Sequence, residues 1–352
     1  MRDGINITLD KITIADTIMA PAFNTAYVLF TATCYVLYCF IGCVFLLGLF
    51  LKIYLVLKSK RYRSGISMVG KTVLITGANS GIGKAIAYDL AERSARVIMA
   101  CRNLTEAAEV AEAITCSTGN ENIIVKHLDL SSFKSVRKCA REIIRGQERL
   151  DVLINNAGIG VNLGPDETED GNETIMQTNY LGHFLLTTLL LDILRQSSPS
   201  RIINVASSAY RFSNLEREDL DFSSTEDYSD QQKYANSNLA KIMFARELAL
   251  KLLNSAVTVN TVCLDLVNTS LFYHSTSLFS KFLSYMTFLF GQTPVAAAQT
   301  AIKLAVDPSL EKTNGQLFKY CKKVEFCKIA KDRKMSQALY RLSEKNRRCA
   351  IL

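Results

Sequence analysis

The sequence predicts an α/β fold: a doubly wound parallel sheet of about seven strands, preceded by one transmembrane helix. Three observations predict it. Short, near-continuous apolar runs alternate with helical periodicity from Lys71 to about Tyr320. The first run, Thr72–Thr76, ends in a glycine-rich turn that opens a helical pattern. Far upstream, the stretch Ala26–Leu51 carries no charged residue.

That uncharged stretch exceeds the roughly 20 residues a bilayer-spanning helix requires. A cleaved signal peptide would be shorter and would start with a basic region. Here Arg2, Asp3, Asp10, Lys11 and Asp16 precede the segment, which marks an uncleaved anchor. Lys52, Lys58, Lys60, Arg61 and Arg63 follow it, so the positive-inside rule places everything after it in the cytosol. The expected organisation is a lumenal leader (1–25), a single-pass anchor (26–51), a basic juxtamembrane linker (52–70), the α/β domain (71–330) and a basic tail (331–352). Asn6-Ile7-Thr8 is a glycosylation sequon on the lumenal side. The same topology leaves the sequons at Asn103, Asn172 and Asn268 without sugar, which a glycosidase-shift assay on each Asn→Gln variant checks.

The chain has 352 residues, 49% of them hydrophobic, so a sizeable core is available. Its net charge is +8, concentrated after the anchor and near the C-terminus. That distribution suits a membrane surface better than nucleic acid, for which basic stripes interleaved with aromatics are wanted. Ten cysteines show no Cys-x-x-Cys or Cys/His ligand spacing, which reads as reduced thiols and no metal site.

Strands are expected at Thr72–Thr76, Arg96–Ala100, Ile123–His127, Val152–Asn155, Arg201–Ser207, Val257–Val262 and Leu317–Tyr320, mostly buried on both faces. After the first, the turn Gly77-Ala78-Asn79-Ser80-Gly81-Ile82-Gly83 lets the backbone approach a pyrophosphate at a helix N-terminus. Gly77, Gly81 and Gly83 stand where a Cβ would obstruct the turn, the phosphate or the helix–strand packing. The second strand is followed by Arg102 instead of an acidic residue. A carboxylate there would hold the ribose 2′-OH of NAD; an arginine meets a 2′-phosphate, which favours NADP(H).

These segments and others resemble the short-chain dehydrogenase/reductase superfamily, with its Rossmann-type sheet, and within it the microsomal retinol dehydrogenase branch. The motifs are Thr76-Gly-Ala-Asn-Ser-Gly-Ile-Gly-Lys84, Ala100-Cys-Arg-Asn103, Asn155-Asn156-Ala157-Gly158 and Thr178-Asn179-Tyr-Leu-Gly-His-Phe-Leu-Leu-Thr187. A long insertion between Ser208 and Tyr234, and Thr293-Pro294 with Ala298-Gln299-Thr300, extend the resemblance over Lys71–Lys331. It implies an endoplasmic-reticulum protein. It places Asp129 beside the adenine, a position that read alone is also a helix N-cap. Asn156, Ala157 and Gly158 line the cofactor, and Thr269 contacts it. Asn179 holds a helix kink and a relay water, Ser208 orients the substrate oxygen, and Tyr234 gives or takes the proton. His183 reads as a packed helix histidine in preference to a catalytic one.

Two departures stand out. The Tyr-x-x-x-Lys pattern is here Tyr234-Ala-Asn-Ser-Asn238, so the ammonium that lowers the tyrosine's pKa is missing. Asn238 can keep a ribose hydrogen bond but brings no charge. Lys241 stands three residues on, on the same helix face, where the branch commonly has asparagine; either it restores part of the charge or it is a bystander. The Pro-Gly expected after the sixth strand is Leu264-Asp265, which adds bulk and negative charge at the nicotinamide end.

Leu271–Phe290 is rich in aromatics and reads as a lid for an apolar retinoid, steroid or lipid carbonyl, as a packed helix, or as one dipping into the membrane surface. The end Cys349-Ala-Ile-Leu352 matches a prenylation signal, or matches by chance. The expected function is an NADP(H)-dependent oxidoreductase interconverting an apolar alcohol and its carbonyl, membrane-associated, with a homodimer as a candidate assembly. The alternative is a pseudoenzyme that binds NADP(H) and serves as a lipid-binding or scaffold protein.

Overall fold

The computed structural model describes residues 6–58, 62, 64–160, 164–216, 220, 228–268 and 278–349. The chain divides into two units, Met1–Tyr54 and Leu55–Leu352. In the first, helix α1 runs Asn6–Lys58, longer than the expected anchor at both ends. Its apolar section Tyr27–Tyr54 has 28 residues, about 42 Å of helix at 1.5 Å per residue, enough to cross a bilayer core with tilt. Its side chains are exposed all round, as suits a helix whose solvent is lipid.

The second unit is the α/β fold. Its elements are β1 (Thr72–Thr76), α2 (Gly81–Glu92), β2 (Arg96–Cys101), α3 (Leu104–Thr118), β3 (Ile123–His127), α4 (Phe133–Gly146), β4 (Val152–Asn155), α5 (Thr174–Met176), α6 (Gly182–Gln196), β5 (Ser200–Ser207), α7 (Asp230–Lys251), β6 (Val257–Leu264), α8 (Leu278–Phe290), α9 (Pro294–Val306), β7 (Leu317–Lys319), β8 (Lys322–Val324) and α10 (Arg333–Cys349). The sheet order is β3-β2-β1-β4-β5-β6-β7-β8. All pairs are parallel except β7–β8, a short antiparallel hairpin. This eighth strand, Lys-Lys-Val, is too short and too polar to carry a strand signal in the sequence.

Two apolar layers cover the sheet. One packs α4, α6 and α7 on one face; the other packs α2, α3 and α9 on the opposite face. The expected basic tail is not wholly a tail. Met335, Leu339 and Tyr340 of α10 are buried in the α6/α7 layer, where Tyr340 meets Phe184 edge-on at 5.2 Å. Ala350–Leu352 lie outside the described residues, so the prenylation signal has no structural account beyond Cys349 ending α10.

The chain reverses direction in the sheet between β1 and β4, which opens a crevice at their carboxyl ends. The opposite end is tied by Asp151, whose carboxylate accepts from Lys71, Arg149 and the Thr72 N–H. Burial alone would raise its pKa; the hydrogen bonds from Arg149, Thr72 and Lys71 outweigh it and hold the carboxyl below the usual aspartate value. A depressed carboxyl pKa contributes stability above about pH 4 that is lost as pH falls through the folded-state value. Asp151→Ala is therefore expected to cost about 1–3 kcal/mol at pH 7. Thermal unfolding of detergent-solubilised protein should show the gap from wild type narrowing as pH falls below about 4.

Candidate active site

The β1–α2 turn is built on its glycines. Gly77 and Gly81 have φ of +66° and +54°, the left-handed region that glycine enters without strain. Gly83 is needed for a different reason: a Cβ there would lie 2.2 Å from the Gly77 oxygen and 2.6 Å from Asn156 Nδ2. Ser80 stands at the N-cap of α2 with no side-chain cap bond, and Asn79 donates to Glu106 (2.8 Å). Arg102 is exposed just past β2, whose Ala100 oxygen accepts from the Gly77 N–H. Asp129 accepts from the Ser131 N–H and hydroxyl, forming its own turn, and Ser132 caps α4 in its place.

The Asn155–Gly158 turn faces the glycine turn across the crevice. Asn155 crosses to β5 and α6, donating to Asn204 (2.8 Å) and Thr187 (2.9 Å). The Thr76 hydroxyl accepts from the N–H groups of both Asn156 and Ala157, each at 2.9 Å. Its one proton is then left for His183 Nε2, 2.9 Å away, so the imidazole carries its hydrogen on Nδ1 and donates it to the Asn179 carbonyl (2.8 Å). Burial, helped by the neighbouring Lys241 amine, pushes His183 down to about 3. It stays neutral and acts as a clamp between β1 and the α5–α6 junction, in agreement with a packed histidine.

That junction is a single π-helical turn, Gln177–Leu181, holding Asn179. Such turns recur at functional sites because the extra residue frees backbone from the helical ladder. The Asn179 side chain pairs in both directions with the backbone of Ile159 and donates to Ser237 on α7 (3.0 Å).

On α7, Tyr234 comes to the carboxyl end of β5. The hydroxyl that meets its phenol is that of Ser207, the neighbour of Ser208, for which the sequence predicts the substrate-orienting role. Ser208 instead bonds the Asp265 carboxylate. The register of β5 against α7 decides this, because Asn238 Oδ1 accepts from the Ser207 N–H (2.8 Å) while its Nδ2 donates to the Tyr234 carbonyl (2.8 Å). Burial raises the Tyr234 pKa above the ordinary tyrosine value; the Ser207 and Asn238 side chains offset part of that.

Lys241 is buried, with its amine 3.2 Å from the Val205 oxygen and 3.4 Å from the Ala157 oxygen. It lies under the cofactor-side turn, 3.9 Å from where a Cβ on Gly158 would be. Burial holds its pKa down to about 7.

Asp265 is not a bare charge. Lys319 pairs with it at 2.6 Å, and the Tyr320 hydroxyl and Ser208 donate to it as well. Burial would raise this carboxyl, and those three donors hold it below the usual range. Tyr320 and the next residue, Cys321, both have positive φ (51° and 61°) in the β7–β8 turn. Ser207, Lys319 and Tyr320 are the site residues that sequence reasoning missed. For Ser207 the signal was present, in the adjacent serine pair; for the β7 residues there was none. Thr269 lies outside the described residues.

A cradle of glycines at the sheet's switch point, a turn of Asn-Asn-Ala-Gly opposite and a serine-bound tyrosine beyond it is what a dinucleotide-dependent hydride-transfer enzyme requires. Residues 71–218 match the family model for short chain dehydrogenases. Retinol dehydrogenase 14 of Mus musculus is 42% identical over 289 residues, covering 79% of this chain and 86% of the relative. The chain belongs to the short-chain dehydrogenases. It sits in their retinol dehydrogenase-like branch: human retinol dehydrogenase 12 is 38% identical over 281 residues, covering 80% and 87% of the two chains. Among solved structures, this short-chain dehydrogenase is similar to an uncharacterised protein of Mycobacterium paratuberculosis (29% identity, TM-score 0.63, covering 82% of this chain and 98% of that one). It is also similar to the RhlG–NADP active-site complex of Pseudomonas aeruginosa (26% identity, TM-score 0.58, covering 73% and 97%). It is accordingly an oxidoreductase acting on CH–OH groups, built on a nicotinamide-binding fold.

Proposed function

We propose that this enzyme uses NADP(H) to interconvert an apolar alcohol and its aldehyde or ketone, of retinoid, steroid or lipid type, from the cytosolic side of the endoplasmic reticulum membrane. The observation that carries the chemistry is the Tyr234 phenol held against Ser207 at the carboxyl end of β5. Relatives named retinol dehydrogenases and the exposed Arg102 after β2 support the substrate class and the phosphate preference.

The residues fit the cofactor. Gly77, Asn79, Ser80, Gly81, Ile82 and Gly83 would hold the pyrophosphate, Arg102 the 2′-phosphate, Asp129 the adenine, and Asn156, Ala157 and Gly158 the nicotinamide ribose. When bound, the cofactor supplies or accepts the hydride. Ser207, in place of Ser208, holds the substrate oxygen against Tyr234. The raised pKa keeps the phenol protonated at neutral pH, which equips it to donate a proton to a carbonyl oxygen as hydride arrives. In the alcohol direction it would have to act as a base, for which it is poorly set. Asn179 shapes the π turn that keeps its own carbonyl and Ile159 in place.

Asn238 favours the second reading, a cofactor-binding pseudoenzyme. Both ends of its amide are committed to the Ser207 N–H and the Tyr234 carbonyl, a structural use of the position where the family has its lysine. NADPH consumption with all-trans-retinal and a panel of apolar aldehydes and ketones, beside a fluorescence titration of NADPH, separates the two. The enzyme reading expects turnover whose rate stays flat between pH 6 and 9, because a tyrosine with a pKa above about 10 remains a donor throughout. Tight NADPH binding with no turnover on any carbonyl sinks it in favour of the pseudoenzyme.

A further inference from the structure

We propose that the mouth of the active site docks on the bilayer surface, with the exposed face of α8 as the element that enters the lipid. That the docked mouth admits an apolar substrate from the membrane rests on the function proposed above; the docking does not.

The first observation is where α8 is attached. The chain leaves the sheet after β6, next to Asp265, and returns to the same place. Val267 bridges Gln292, the Gln292 N–H bonds the Leu266 oxygen and the Asn268 N–H bonds the Gln292 oxygen, both at 2.9 Å. Gly291 permits this closure, since a Cβ there would lie 2.3 Å from the Thr287 oxygen and 3.0 Å from the Asn268 nitrogen. The excursion is thus a loop with a clamped stem, planted at the carboxyl end of the sheet where Tyr234, Ser207 and Asp265 are gathered.

The second is what α8 and its neighbours present. Tyr285 and Phe288, one turn apart on one face, are 59% and 61% exposed. Phe212, after β5, is 80% exposed, and Val295, at the start of α9, 55%. These residues come from three segments, yet all lie past the carboxyl ends of β5 and β6. Water gives such a rim nothing; an interface between headgroups and acyl chains suits Tyr and Phe. Lys281, exposed one turn before Tyr285, has the reach to place its ammonium among lipid phosphates.

The third is the tether. Seven residues lie between Tyr54, the end of the candidate span, and Tyr62. The Tyr62 N–H bonds Gln299 Oε1, and Gln299 Nε2 bonds the Val295 oxygen, both at 2.9 Å. Tyr62 is thus held along α9, by its N–H at Gln299 and by its ring under the Lys303 ammonium (5.7 Å), and α9 begins four residues after α8 ends.

The chain contains no tryptophan, so an introduced one reports alone. Tyr285→Trp, Phe288→Trp and, as control, Leu253→Trp would each be made in the full chain and reconstituted into phosphatidylcholine vesicles with brominated acyl chains. Leu253 is exposed just ahead of β6, at the amino ends of the strands, opposite the mouth. Emission from positions 285 and 288 should fall about twofold or more, as expected roughly 5–10 Å inside the interface, with position 253 unaffected. Quenching no greater at 285 and 288 than at 253 overturns the proposal, even where carbonyl reduction is intact. Selective quenching in a protein that reduces no carbonyl keeps the docking and removes the enzyme reading instead.

Discussion

Exchanging two residues of α7, as Asn238→Lys together with Lys241→Asn, is expected to raise turnover in carbonyl reduction by about 10²-fold or more, within the span of general acid–base assistance. In the wild type, the groups acting on the Tyr234 phenol are the neutral side chains of Ser207 and Asn238. A lysine at 238 would bring an ammonium to the same place. It would lower the phenol's pKa toward the working pH and strengthen proton transfer. The Ser207 N–H would lose its acceptor on Asn238, a cost of about 1 kcal/mol, which is small beside the electrostatic gain.

The contacts of Lys241 in the native chain argue against its doing this work. Its amine is spent on the carbonyls of Val205 and Ala157, and burial holds its pKa at about 7, so near neutrality much of it is uncharged. Lys241→Ala alone is expected to leave turnover within about twofold. A tenfold fall would show that its charge does serve the phenol. There is also a stability signature. Between pH 7 and 10.5 the unfolded chain binds a proton that the folded chain releases, so stability rises with pH across that window. Removing the amine should flatten the rise. Unchanged turnover in the doubly exchanged protein, with NADPH affinity retained, would mean that something other than the missing ammonium limits catalysis.

Gly83→Val should abolish useful cofactor binding, weakening NADPH by about 100-fold or more, a change of roughly 2.7 kcal/mol. The first atom of the new side chain meets the Gly77 oxygen at 2.2 Å and the Asn156 amide at 2.6 Å. The closer of these is backbone in the turn that would cradle the pyrophosphate, and the other is the amide that ties this turn to the opposite wall. Neither can withdraw without moving the cradle. Gly146→Ala is the matching control, since nothing lies within 4 Å of a Cβ at the end of α4. It should leave both affinity and melting temperature unchanged. Affinity within threefold of wild type in Gly83→Val, measured on protein whose melting confirms folding, would remove the glycine cradle as the cofactor site.

Much of this protein was legible in its sequence. Six of the seven expected strands, β1, β3 and β4 and, within one residue, β2, β5 and β7, have the boundaries their apolar runs suggested. The glycine turn, the Asn155–Gly158 turn and the uncharged anchor were legible for the same reason. Each is a local demand of the backbone or of the solvent: a positive φ, a close approach, a length of helix in lipid.

The pairing of side chains was not local. Whether Ser207 or Ser208 meets Tyr234 depends on how α7 registers against β5, and the sequence holds both serines side by side. The amine of Lys241 could reach toward the phenol or toward the strand carbonyls, and burial against Ala157 and Val205 chose the latter. Asp265 read as a lone negative charge because its counter-ion, Lys319, lies far along the chain, on a strand of three residues. Backbone geometry repeats with a short period and so is written in neighbouring residues. A buried hydrogen bond is settled by desolvation, and only the assembled sheet determines which groups lose their water together.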